Sequence, residues 1–158
     1  MKKIAVFPGS FDPITKGHES IVQRALPLFD EIIIAIGDNA DKKSYFPLEK
    51  RLEWLDIVFK DFPNVRVESY SGLTVDFCVK NKAEFILRGL RTSADFEFER
   101  RVGQVNKYMN HKLETVFLLS NVEDTPINSS VVREIHNYGG DISPFIPERV
   151  VKQIQNWQ

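Results

Sequence analysis

Cysteine is almost missing from this chain of 158 residues, and the single one, Cys78, excludes an internal disulfide and a thiolate metal cluster. A lone thiol suits a reducing compartment, where it acts as core or helix filler. Net charge is almost missing as well. The 21 basic and 22 acidic side chains leave −1, so the basic face of a general nucleic-acid binder is not available. No aromatic stripe on a basic face supports RNA binding either. Long apolar runs are absent too: none approaches the ~20 residues of a membrane span. Met1-Lys2-Lys3 leads into only a short apolar run, so no signal peptide is expected. These absences leave a cytoplasmic chain forming one domain over residues 1–158, large enough to bury roughly 70% of its unfolded surface. No linker, repeat or low-complexity tract divides it.

What is present is an alternation of apolar runs with amphipathic stretches. Ile4-Phe7, Ile32-Ile36, Val65-Glu68, Phe85-Leu87 and Val116-Leu119 read as strands. Between them lie helical patterns. The first is carried by Ile21, Val22, Ala25 and Phe29, and a second opens at Pro47 with Leu48, Leu52, Leu55 and Phe59 on one face. A short helix covers Leu73 to Lys82 with Phe77 inward. A longer one is capped by Asp95 and buries Phe98, Val102, Val105 and Met109. A helix starting at Asn128-Ser129-Ser130 runs through Ile135 and is closed by Gly139-Gly140. Pro147 opens a last one with Val150, Val151, Ile154 and Trp157. Five strands alternating with helices imply an α/β fold, a Rossmann-like doubly wound domain. Its five-stranded parallel sheet is followed by a helical C-terminus, and ligands bind beyond the carboxyl ends of the strands.

The chemistry concentrates in Phe7-Pro8-Gly9-Ser10-Phe11-Asp12-Pro13-Ile14-Thr15-Lys16-Gly17-His18, between the first strand and first helix. A turn rich in Gly and Pro that leads into a helix N-terminus builds an anion site, because the first helical N–H groups are unpaired. Thr15 is placed to cap the helix, which puts His18 in its first turn, leaning back toward a bound anion. Other strand ends add to the same edge. Asp41-Lys42-Lys43-Ser44 follows the second, Arg88 and Arg91 the fourth, and Asn128-Ser129-Ser130 comes after the fifth. Lys42-Lys43 alone would be a solvated loop. Two long cations flanking Gly89 after a buried strand, by contrast, have no packing purpose. Glu99 is either a surface helix residue or part of the site. Asp12 is a turn residue able to orient backbone or a metal-bound water. His111 and His136 show no ligand spacing.

Thr15-Lys16-Gly17-His18 resembles the T/H-x-G-H signature of the adenylyl- and cytidylyltransferase superfamily. Adding Lys42-Lys43 and Arg88-Gly89-Leu90-Arg91 with its follow-on Asp95-Phe96-Glu97-Phe98-Glu99, the whole chain resembles the bacterial phosphopantetheine adenylyltransferase family. That resemblance implies transfer of the adenylyl group of ATP to 4′-phosphopantetheine, giving dephospho-coenzyme A and pyrophosphate in coenzyme A biosynthesis. It implies magnesium, bound mainly through ATP phosphates, and a homohexamer. By the same resemblance Ser10, Lys42, Thr74 and Arg88 contact the acceptor, and Leu73-Thr74 after the third strand is the sequence's own candidate for its pantetheine site. Gly9, Ser10, Phe11, His18, Gly89, Leu90, Arg91, Glu99 and the run Asp124, Thr125, Pro126, Ile127, Asn128, Ser129 and Ser130 contact ATP. His18 is the implied transition-state stabiliser, and Lys42 and Arg91 complete the expected catalytic set as cations for the repelling phosphates. Asn128 stands where the family usually has Ser, Thr125-Pro126 lacks an aromatic, and Gly72 replaces a frequent acidic residue. Two alternatives remain open at this point: a related transferase with another phosphate acceptor, and a non-catalytic nucleotide or coenzyme A sensor.

Overall fold

The computed structural model describes residues 1–39 and 42–158. Of the expected loop cluster, Asp41 therefore lies outside the described residues. Five strands, β1 (Ile4–Gly9), β2 (Glu31–Gly37), β3 (Val65–Tyr70), β4 (Phe85–Leu90) and β5 (Glu114–Leu119), form one all-parallel sheet in the order β3-β2-β1-β4-β5. Six helices connect and follow them: α1 (Lys16–Ala25), α2 (Leu48–Phe59), α3 (Thr74–Lys80), α4 (Ser93–Met109), α5 (Ser129–Asn137) and α6 (Val151–Gln155). The run Ile32-Ile33-Ile34-Ala35-Ile36 is buried on both faces, as a central parallel strand must be. Ile32, Ile34 and Ile36 join the larger core with Ala5, Phe7, Leu87, Trp54 and Leu55. Ile33 and Ala35 join the smaller one with Val6, Ile86, Phe77 and Cys78.

The strand order reverses at β1, which has β2 on one side and β4 on the other. The register between β1 and β4 links Ala5 with Phe85 and Val6 with Ile86 and goes no further, although both strands continue. Pro8 has no N–H to extend that ladder. The two strands thus part at their carboxyl ends, and this is where a crevice is expected in a doubly wound sheet.

Several expectations shift. β4 runs on to Leu90, so Arg88 lies within the strand instead of following it. Pro47 is the residue before α2, and that helix buries Arg51, Trp54, Leu55, Val58 and Phe59, with Leu52 at the margin. α3 begins at Thr74 and ends at Lys80, shorter at both ends than the Leu73–Lys82 pattern. Thr92, not Asp95, caps α4. The Asp95 carboxylate is the returning half of the capping box and accepts the N–H of both Thr92 and Arg91. The last helical stretch is a 3-10 turn, Glu148–Val150, followed by α6. Trp157 lies past its end, edge-on to Trp54.

The largest correction concerns α4. Phe98, Val102, Val105 and Met109 are exposed at 40–59%, and the helix's one buried side chain is Glu99. A periodic apolar stripe identifies the helix face that wants covering, but not what covers it. In this chain the stripe is left on the surface, while α4 approaches β5 through Gly103, where a Cβ would come within 3.0 Å of the Thr115 hydroxyl oxygen.

Leu55 is fully buried between α2 and the sheet. Leu55→Ala is expected to cost about 2–5 kcal/mol, read as a lower urea midpoint at unchanged slope.

Candidate active site

The turn after β1 takes its shape from local constraints. Phe11 adopts φ +46°, a left-handed conformation costing a bulky residue about 1–2 kcal/mol. Burial of its ring offsets that cost. The ring packs edge-on to Phe7 at 5.4 Å and against His18 at 4.8 Å. Gly9 is needed beside it, since a Cβ there would lie 3.0 Å from the Phe11 ring. Thr15 caps α1 as expected. His18 at the third helical position closes a capping box in which the Thr15 N–H donates to His18 Nδ1 at 3.0 Å.

That bond fixes the imidazole chemistry. An Nδ1 that accepts a backbone N–H carries no proton, so Nε2–H is the donor the ring offers to the cleft it lines. Burial, with Arg88 and then Arg91 nearby, pulls the His18 pKa from 6.5 down to about 4. His18 is therefore a neutral donor at pH 7.

Two lobes open at the carboxyl edge. One, of about 660 Å³, is walled by Gly9, Ser10, Phe11, Gly17, His18, Gly89, Arg91, Glu99 and Ile127 to Ser130. The other, of about 830 Å³, takes Tyr70, Thr74, Leu48, Phe98, Val102 and Asn106 from the opposite direction. Gly9, Ser10, Lys42, Arg88, Glu99 and Arg133 belong to both walls, so the lobes meet there. Arg88 is held by a fork-to-fork pair with Glu99, Nε to Oε2 at 2.8 Å and Nη2 to Oε1 at 2.7 Å, and it also donates to the Pro8 carbonyl across the parted strands. Arg91 bridges Asp95 and the Ile127 carbonyl, tying β4 to the segment before α5. Asn128 caps α5 by accepting the Val131 N–H at 2.9 Å, so the departure from Ser keeps the cap.

Of the residues expected from sequence, Leu73, Leu90, Asp124, Thr125 and Pro126 lie outside the walls of both lobes. Leu73 is exposed, Leu90 is buried beside Leu119, and Asp124 is buried in a 3-10 turn (Val122–Asp124) where desolvation raises its carboxyl pKa. Glu99 proves to be Arg88's partner, part of the site and not a surface helix residue. Asp12 orients backbone, each carboxylate oxygen accepting one N–H, from Tyr45 and Phe46, both at 2.8 Å. Sequence reasoning missed Tyr70, Arg51 and a wall role for Arg133. Arg51 lies three residues after Leu48 and four before Leu55, and a charge on an apolar stripe was the available signal. Among the described residues no three His, Cys, Asp or Glu side chains gather.

A Gly-Ser turn and a helix start face a crevice at the sheet's switch point, with Thr15-Lys16-Gly17-His18 in that start. The model of the cytidylyltransferase-like family matches residues 6–135. Phosphopantetheine adenylyltransferase from Cytophaga hutchinsonii is 49% identical over 150 residues, covering 95% of this chain and all of that one. The protein of the same name from Flavobacterium psychrophilum is 54% identical over 146 residues, 92% of this chain and 96% of that one. A solved Vibrio parahaemolyticus structure, described as a nicotinate-nucleotide adenylyltransferase, shares the fold. Its TM-score is 0.70 at 22% identity, covering 98% of this chain and 95% of that one. The chain belongs to the phosphopantetheine adenylyltransferase family.

Unfolded, His18 takes up its proton near pH 6.5; folded, near pH 4. Its contribution to stability is therefore complete above pH 6.5 and lost as the pH falls toward 4. In an NMR titration of the free protein the His18 ring is expected to stay neutral, as the Nε2–H tautomer, from pH 8 to about 5. A midpoint near 6.5 would contradict the desolvated, arginine-flanked ring.

Proposed function

We propose that this chain transfers the adenylyl group of ATP to 4′-phosphopantetheine, giving dephospho-coenzyme A and pyrophosphate in the cytoplasmic synthesis of coenzyme A. The observation that carries the reading is the meeting of two lobes on one cationic wall, at Ser10, Lys42 and Arg88. The lobe bounded by His18, Arg91 and the α5 N-terminus suits a triphosphate. The larger lobe suits a long amide-rich chain, with Leu48, Tyr70, Phe98 and Val102 as an apolar wall and Thr74 and Asn106 as polar partners.

A phosphate monoester has its second pKa near ~6, so at neutral pH the nucleophile is already dianionic. It needs no general base, and an imidazole protonated at Nε2 could not serve as one. The barrier is repulsion between two polyanions that must align while charge builds on the α-phosphoryl oxygens. In this proposal His18 Nε2–H and Lys42 face those oxygens and the nucleophile. Arg91 and the α5 N–H groups hold the β- and γ-phosphates, and Arg88, steadied by Glu99, receives the acceptor phosphate. Magnesium would be held by ATP's own oxygens and would neutralise leaving pyrophosphate, entering as part of the substrate.

The exposed Val105 and Met109, with Tyr108 beside them at 82% exposure, form the surface of α4 through which we propose that copies of the chain associate, as the family's hexamer implies. Val105→Asp is expected to lower the mass found by sedimentation. A wild-type monomer at micromolar concentration would refute the assembly.

Pyrophosphate release is expected with ATP and 4′-phosphopantetheine, and not with nicotinamide mononucleotide. Binding of both ligands without release would favour the sensor reading instead. His18→Ala is expected to lower kcat about 10²–10³-fold with little change in ATP affinity, as for loss of one preorganised oxyanion donor. Equal losses in both would make His18 a binding residue.

A further inference from the structure

Three guanidinium groups, from three different elements, hold alternate carbonyls of the turn after β1. Arg88 of β4 donates to the Pro8 oxygen, Arg51 of α2 to the Ser10 oxygen at 2.8 Å, and Arg133 of α5 to the Asp12 oxygen at 2.8 Å. Arg51 is the most buried of them, at 7% exposure, and the rest of its fork goes to another segment. Its Nε donates to the Phe46 carbonyl at 3.0 Å and its Nη2 to the Ser44 hydroxyl at 3.1 Å. The Ser44 hydroxyl in turn donates to the Phe46 carbonyl at 2.9 Å. From the other direction, the Asp12 carboxylate takes the Tyr45 and Phe46 N–H groups. Segment 44–46 is therefore clasped to the turn through its amides by Asp12 and through its acceptors by Arg51.

A buried cation is a poor way to gain stability, since an apolar side chain of similar size does as well or better. A planar fork with five donors is, however, a good way to fix three acceptors at set distances from one another. The segment so fixed begins two residues after Lys42, which lines both lobes where they meet. We propose that Arg51 is a positioning residue for adenylyl transfer, locking segment 44–46 to the Ser10 turn and thereby holding Lys42 at the junction of the lobes. This rests on the function proposed above. Arg51 acts through the loop and never on the phosphates themselves.

The consequence is energetic coupling between Arg51 and Lys42. Arg51→Lys keeps the charge but loses the fork, and is expected to lower kcat with 4′-phosphopantetheine about 10–100-fold, the scale of a small misplacement in the reacting geometry. ATP affinity, read by calorimetry, is expected to hold within about twofold, because α1, β4 and α5 still bound its lobe. In a Lys42→Ala background the same substitution is expected to cost less than about threefold more, since the group it positions is gone. A merely structural role would give losses that multiply, and that result overturns the inference. Ser44→Ala removes one Arg51 partner without a large fold risk. It is expected to lose about 3–10-fold alone and almost nothing beside Lys42→Ala, so it decides the matter if Arg51→Lys does not fold. An inactive wild type would sink the proposed function itself. An active wild type with an unimpaired Lys42→Ala variant sinks only this inference.

Discussion

Guanidinium-to-carbonyl bonds along the turn after β1 are the constraint on which the site depends. Carbonyls along a buried turn need partners as much as its N–H groups do. Arginines supply those partners at Pro8, Ser10 and Asp12, and each comes from a separate element. The turn is thus the point where β4, α2 and α5 are registered to β1. The left-handed Phe11 and the Gly9 that its ring requires are tolerated because the surroundings leave the backbone no other path.

One of these arginines, Arg88, also bears on the electrostatics of the crevice. Burial of the His18 imidazole, with Arg88 and then Arg91 nearby, keeps a second proton off it at neutral pH, and the Thr15 N–H decides which nitrogen keeps the first. Positive field and neutral donor are therefore produced together, by one arrangement. In a chain of net charge −1 this is local concentration of cations, not a basic surface.

Much of this could be read from the residues. The Ile32–Ile36 run could be read as a strand, and Thr15 with His18 three residues on as a capped helix start at the sheet edge. The convergence of Lys42, Arg88, Arg91 and Ser129-Ser130 followed from topology alone. What could not be read depended on partners distant in sequence. Nothing local says that Glu99 meets Arg88, eleven residues earlier, or that Arg51 reaches Ser10. Periodicity placed Phe98, Val102 and Val105 on one face of α4 but could not say that the sheet would leave that face bare. Asp95 looked like a cap because one capping-box residue in isolation resembles the other.

α4 is one uninterrupted rod of 17 residues, with Glu99, Phe98 and Val102 along the crevice and Val105, Tyr108 and Met109 exposed beyond it. Glycine at 103 lets that rod lie so close to β5 that there is little slack for it to roll without shifting Thr115. One rod therefore carries both the carboxylate that steadies Arg88 and the exposed side chains Val105, Tyr108 and Met109.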